Sequence, residues 1–279
     1  MTDSVRHTPI SVSGASPEVC QALFVHATGF CKETLLPVVD ELEAMLGQLD
    51  VMVMDQRGHG GSTPHDGPFD WNSLSVDVLT VLESAPSGIV GVGHSSGGAS
   101  VARAEILAPG TFANLILVEP IIMPGPYEPK ETPLSLGAAR RRRSFESRDA
   151  VWDRLHRGPF TDWTDAALDM YVDNAFHETP DGWTLRCEPQ TEAEFYRQAY
   201  NIDTWDRLNE IRCPVTVVAG EHSNTHVDPF LGMLMGQFAG AELVVLPGLG
   251  HLAPMESPTA VAASIRDAME RFPTIPTIS

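Results

Sequence analysis

The residues most able to do chemistry are Gly93-His94-Ser95-Ser96-Gly97, which follow a short apolar run at 89–92 and precede a segment of helical spacing at 98–107. A serine in a GxSxG pentapeptide between strand and helix sits on a turn so tight that flanking side chains would collide, and the glycines remove those Cβ atoms. Ser95 is therefore expected in a strained backbone conformation, its hydroxyl above a helix start. There the amide of Ser96 and the positive end of the helix favour a developing oxyanion. Ser96 is expected to contribute that amide and not its hydroxyl. A serine hydroxyl is a weak nucleophile until an imidazole takes its proton, and a carboxylate must hold the imidazole in the right tautomer. His251 suits the base role, because it lies in a glycine-rich loop just after an apolar run at 243–246. From the carboxyl end of a strand its side chain can swing over the sheet edge towards Ser95.

Such residues need a scaffold. Six short, largely β-branched runs at 22–25, 51–54, 89–92, 115–118, 215–219 and 243–246 have strand length, and helical spacing marks 32–46, 76–84, 98–107 and 258–272. This alternation is the rhythm of an α/β fold with a mostly parallel central sheet flanked by helices. Ser257 followed by Pro258 predicts a capped helix start. Between 121 and 206 helical stretches follow one another without a convincing strand. That segment is expected to be an inserted helical cap on a core formed by 1–120 and 207–279. It carries Trp152, Trp163, Trp183 and Trp205 and the tyrosines Tyr127, Tyr171, Tyr196 and Tyr200, an enrichment that suits either the roof of an apolar pocket or the cap's own packing. The four arginines at 140–143 read as a solvated helix face.

Composition narrows the partners. With 37 acidic against 18 basic residues, the 279-residue chain carries a formal charge of −19, which repels nucleic acid and anionic membranes and disfavours anionic substrates. No stretch approaches a membrane span, and the opening MTDSVRHTPI lacks a leader pattern, so a soluble, cytoplasmic protein is expected. Cys20, Cys31, Cys187 and Cys213 are widely spaced and read as reduced thiols. There is no GxGxxG at a first helix, no Walker lysine loop and no HExxH, so neither cofactor nor metal is expected. His222 and His226 stand four apart, but in a loop after a strand, where a metal site is not expected.

At this point the resemblance to the α/β-hydrolase superfamily is plain and spans nearly the whole chain. Besides the serine turn, three stretches are similar to the family's habits. Val25-His26-Ala27-Thr28-Gly29-Phe30 resembles the loop that supplies a second oxyanion amide. Its Ala27 stands where glycine is common, and Thr28 is the first choice for that amide, Gly29 the second. Asp55-Gln56-Arg57-Gly58-His59-Gly60-Gly61-Ser62 resembles the family's D-x-R-G-x-G-x-S turn and reads as structural, with Asp55 and His59 bracing it. Gly250-His251-Leu252-Ala253-Pro254-Met255-Glu256 resembles the catalytic-histidine loop. His26 and His94 read as packing or supporting groups.

The acid is where the chain departs from the family. After the strand at 215–219, the usual aspartate position is filled by Ser223 or Asn224. Some members carry a glutamate after the preceding strand, and here Glu119-Pro120 follows 115–118 directly. Glu119 is the expected triad acid, with Asp228 the runner-up and Glu221 too near the sheet end.

The resemblance implies a serine hydrolase that cleaves a carboxylic ester or lactone of a mainly apolar small molecule through an acyl-enzyme. A serine nucleophile argues against the haloalkane dehalogenases and epoxide hydrolases, which use a carboxylate. Carbon–carbon bond hydrolases, amidases and peptidases share the same triad and stay open, as does a non-catalytic small-molecule receptor on the same fold.

Overall fold

The computed structural model describes residues 10–180 and 182–272. The amino-terminal residues read for a leader lie almost wholly outside that range.

Seven strands form one sheet: β1 (Val12–Gly14), β2 (Ala22–Val25), β3 (Val51–Met54), β4 (Ile89–His94), β5 (Phe112–Val118), β9 (Val215–Gly220) and β10 (Ala241–Leu246), in the order β1-β3-β2-β4-β5-β9-β10. All neighbours are parallel except β1, an exposed edge strand antiparallel to β3. All six strand positions read from the sequence are strands. The added β1 is three residues long and carries no buried side chain, so it offers no hydrophobic alternation to read.

Strand periodicity divides the interior into two layers. Leu23, Val25, Met52, Met54, Leu115 and Leu117 face helices α2 (Trp71–Val81) and α3 (Ser96–Leu107). Phe24, Val53, Val90, Val92, Ile116 and Val118 face α1 (Leu36–Leu46) and α10 (Pro258–Arg271). Helix α2 begins earlier than the spacing at 76–84 suggests because Asp70 caps it, accepting from the Ser73 amide at 2.9 Å. Helix α10 does start at Pro258, but Ser257 makes no side-chain cap bond. Two short helices, α8 (Phe230–Gln237) and α9 (Ala253–Glu256), flank β10 in sequence.

Segment 121–206 contains helices α4 (Pro133–Ala139), α5 (Arg148–His156), α6 (Asp165–Ala175) and α7 (Pro189–Gln198). It is not wholly helical. Strands β6 (Ser144–Phe145), β7 (Phe176–Thr179) and β8 (Gly182–Leu185) make a small antiparallel sheet in the order β6-β8-β7. They are two to four residues long, too short for alternation to register. A third apolar cluster packs α5, α6 and the three short strands on Ala27, Phe30 and Cys31, the loop after β2, whereas Phe195 of α7 joins the main core. The four arginines at 140–143 are not a helix face: α4 ends at Ala139, and they lead into β6.

The order of the sheet places the ends of β2, β4, β5, β9 and β10 along one carboxyl edge, where open α/β sheets gather their ligand-binding loops.

Candidate active site

Ser95 follows the last residue of β4 with φ 56° and ψ −114°, the strained turn expected of it. The glycines around it have no alternative: a Cβ on Gly93 would lie 2.4 Å from the Gly97 carbonyl, and one on Gly97 would lie 2.2 Å from the Val25 carbonyl. The adjacent strand end fastens the turn, since the Ser95 amide donates to Val118 O (3.0 Å) and Ile121 N donates to Ser95 O (3.1 Å). Only one other described non-glycine residue has positive φ. It is Glu119, at 49°.

Ser95, His251 and Glu119 form one hydrogen-bonded line. Ser95 Oγ lies 3.2 Å from His251 Nε2, and His251 Nδ1 lies 2.9 Å from Glu119 Oε2. The carboxylate on Nδ1 makes that nitrogen the donor and leaves Nε2 free to accept from the serine. Asp228, the runner-up, is exposed in the loop before α8, with no hydrogen bond to His251 among the described residues. Glu221 is spent on the Gly248 amide at 2.8 Å.

Glu119 is fully buried. Its Oε1 accepts from Gly220 N at 2.7 Å. Its Oε2 faces Ser223 Oγ at 2.7 Å, Thr225 Oγ1 at 3.0 Å and His226 Nδ1 at 2.8 Å, besides His251. Burial alone would raise its pKa, but the hydrogen bonds from His226, His251 and Ser223 outweigh it and hold the carboxyl well below the usual range. His226 was missed as a partner of the site. The signal was there: the loop in which the family's aspartate was expected supplies Ser223, Thr225 and His226, all partners of the Glu119 carboxylate. Glu119, His226 and His251 are the one described trio whose donor atoms cluster tightly enough to suggest a metal. Both imidazoles instead point at a single carboxylate oxygen, which is the geometry of shared protons.

Three further histidines support the site as neutral rings. His94 lies 2.8 Å from the His251 carbonyl through Nε2 and steadies that backbone. His26 accepts the Gln56 amide (3.0 Å), and His59 accepts the Gly29 amide (2.9 Å), each with its Nδ1 on a neighbouring carbonyl. Burial holds His26 and His94 at about 3 and lowers His59 as well. Asp55 braces its turn as expected, accepting from Lys32 N, Lys32 Nζ and Gly61 N at 2.8–2.9 Å.

The two amides expected in the loop after β2 are already bonded. The Thr28 amide is not free: it donates to Ser96 Oγ at 2.8 Å, and the Gly29 amide is held by His59. Nor is the Ser96 hydroxyl idle. It is fully buried and accepts from Thr28 N, Thr28 Oγ1 (3.0 Å) and Gln56 Nε2 (3.0 Å). The residue after Ser95 thus locks the loop after β2 to the helix start, a contact between distant segments that no local motif encodes.

Beside this loop lies a cavity of about 540 Å³, floored by Thr28, Gly29 and Phe30. Its apolar lining includes Phe145, Phe160 and Phe176 beside Leu134, Leu155 and Pro159, and of the segment's tryptophans and tyrosines only Tyr196 lines it. The tryptophans pack instead. Trp163 stacks on Phe160, Trp205 joins the main core, and Trp152 and Trp183 lie against the third cluster.

With this geometry in view, the comparisons place the chain. Its residues 22–264 match the model of the α/β-hydrolase family, and the chain belongs to that family. An abhydrolase domain-containing protein of Alternaria alternata, AFT2-1, is 26% identical over 221 residues, covering 66% of this chain and 83% of that one. The peroxisomal α/β-hydrolase Lpx1 of Saccharomyces cerevisiae superposes with a TM-score of 0.79 at 22% identity, covering 96% of this chain and 85% of that one. E-2-(acetamidomethylene)succinate hydrolase does so with a TM-score of 0.77 at 19% identity, over 94% and 99%. At these identities the structural likeness speaks for the fold alone. No helix among the described residues is long and apolar enough to cross a membrane.

Two outcomes follow. Ser96→Ala leaves three buried donors without their acceptor and should cost about 1–3 kcal/mol, read as a lower melting temperature. An unchanged melt would contradict the assigned network. Because His26 and His94 stay neutral when folded down to about 3 but protonate near ~6.5 when unfolded, the unfolded state binds more protons between those values. Stability is therefore full above about pH 6.5 and lost as pH falls towards 3. A melting temperature that is flat from pH 7 to 4 would refute this.

Proposed function

We propose that the chain is a serine hydrolase that cleaves a carboxylic ester or lactone of a mainly apolar small molecule by way of an acyl-enzyme. The observation that carries the reading is the unbroken line from Ser95 Oγ through His251 to buried, ionised Glu119. Family membership and hydrolase neighbours support it. Ser95 Oγ attacks the carbonyl while His251 Nε2 takes its proton, and Glu119 stabilises the imidazolium that results. The oxyanion is received by the Ser96 amide at the start of α3, where the helix dipole adds its positive end. Thr28 is the second donor, its amide exchanging or sharing Ser96 Oγ with the oxyanion as charge develops. His251 then returns the proton to the leaving alkoxide, freeing the alcohol and leaving the acyl group on Ser95. Water, deprotonated by the same imidazole, releases the acid. The phenylalanine-walled cavity beside Thr28 suits an apolar body of the substrate.

The acid assignment is tested by comparing Glu119→Gln with Asp228→Asn on one chromogenic ester, with thermal melts to verify folding. Glu119→Gln removes the charge facing the imidazolium and should lower kcat by roughly a hundredfold or more. Asp228→Asn should leave kcat near the native value. A dead Asp228 variant beside an active Glu119 variant would overturn the assignment.

A further inference from the structure

The cavity above residues 28–30 is apolar in its walls but not neutral. Arg140, Arg141, Arg142 and Arg154 line it, against the single carboxylate of Glu192. Glu192 is already matched, because Arg141 pairs with it at 2.8 Å and also contacts Tyr171 and Gly29 O. Arg142 is spent on Glu146 and Ser144 O, lying over the Phe145 ring. The side chains of Arg140, at the end of α4, and Arg154, on α5, both exposed, have no ion pair or hydrogen bond among the described residues. In a chain with 37 acidic residues and 18 basic ones, two unpaired guanidinium groups on one cavity stand out. Elsewhere most arginines find a carboxylate.

We infer that this cavity holds an anionic end of the substrate, a carboxylate carried several bonds from the scissile ester, with Arg140 and Arg154 as its counter-charges. The inference rests on the hydrolase reading above for the ester, and adds the substrate class. The position follows from the lining. Thr28 belongs to the cavity and bonds Ser96, the neighbour of Ser95, whereas Ser95 and His251 do not line it. A carboxylate held there lies away from the reacting carbonyl, so an apolar spacer of the substrate must join the two. A guanidinium fork binds carboxylate in two parallel hydrogen bonds. A carboxylate is favoured over a phosphate because a monoanion suffers less repulsion than a dianion in approaching so acidic a surface. The arginines thereby reverse, at one place, the bias against anions that the net charge implies.

The test pairs the 4-nitrophenyl ester of hexanoic acid with the mono-4-nitrophenyl ester of adipic acid, which differ only in a terminal carboxylate. The native chain should favour the adipate half-ester by roughly tenfold or more in kcat/KM. That ratio should collapse towards one in Arg140→Gln/Arg154→Gln and persist in Arg157→Gln, whose arginine pairs with Asp153 and does not line the cavity. Calorimetric titration with hexanoate, a monoanion with an apolar tail, gives a readout independent of turnover: the native chain binds it, the double variant does not, and butyl phosphate binds more weakly. Hydrolysis of both esters without preference, with hexanoate unbound, overturns the inference and leaves the hydrolase reading standing. Absence of turnover on either ester, with hexanoate still bound through the two arginines, sinks the hydrolase reading and keeps the anion site. Tighter binding of butyl phosphate overturns the carboxylate assignment.

Discussion

A carboxylate buried at the end of β5 is the constraint around which the rest of the site is arranged. Taking an ionised group out of water costs several kcal/mol unless its lone pairs are met by donors. Glu119 meets that demand from three other segments: the Gly220 amide at the end of β9, the hydroxyls and imidazole of residues 223–226, and His251 after β10. One side chain therefore fixes the relative positions of three strand ends. His251 is aimed at Ser95 because its other nitrogen is held there, and His94 holds its carbonyl from below. The positive φ of Glu119 belongs to the same bargain, a strained backbone maintained by the bonds its side chain makes.

Strain at Ser95 is met differently, by deletion of side chains. The glycines at 93 and 97 allow β4, α3 and the end of β2 to approach within a distance that any Cβ would close. Around this crowded turn the imidazoles of His26, His59 and His94 act as uncharged hydrogen-bonding wedges, each accepting or donating to backbone. Their burial disfavours positive charge on these three rings. Ser96 completes the arrangement by tying the loop after β2 to the first turn of α3.

What could be read in the sequence was what is local. The serine turn, the histidine loop and six strands are short patterns whose spacing alone dictates geometry, and each lies where it was expected. Glu119 was expected from the resemblance, because some family members carry a glutamate after this strand and the familiar acid position here holds Ser223 and Asn224. The partnership of Ser223, Thr225 and His226 with Glu119 was not, because it joins residues more than a hundred positions apart. The Ser96 hydroxyl and the Thr28 amide escaped for the same reason. Four consecutive arginines look like a solvated face when read along the chain. Only folding shows that α4 stops at Ala139, and that the chain then turns so that three of them meet Arg154 around a cavity. The small sheet β6-β8-β7 was hidden because strands of two to four residues carry too little alternation to detect.

The proposed triad requires that the Glu119–His251 pair make Ser95 a nucleophile. The most direct measurement is reaction with a fluorophosphonate, with the modified residue located by peptide mass spectrometry and the rate followed in Glu119→Gln. A single adduct on Ser95 is expected, formed far more slowly in the variant. An adduct on Ser96 or elsewhere, or native-like labelling of Ser95 without Glu119, would contradict the proposed triad.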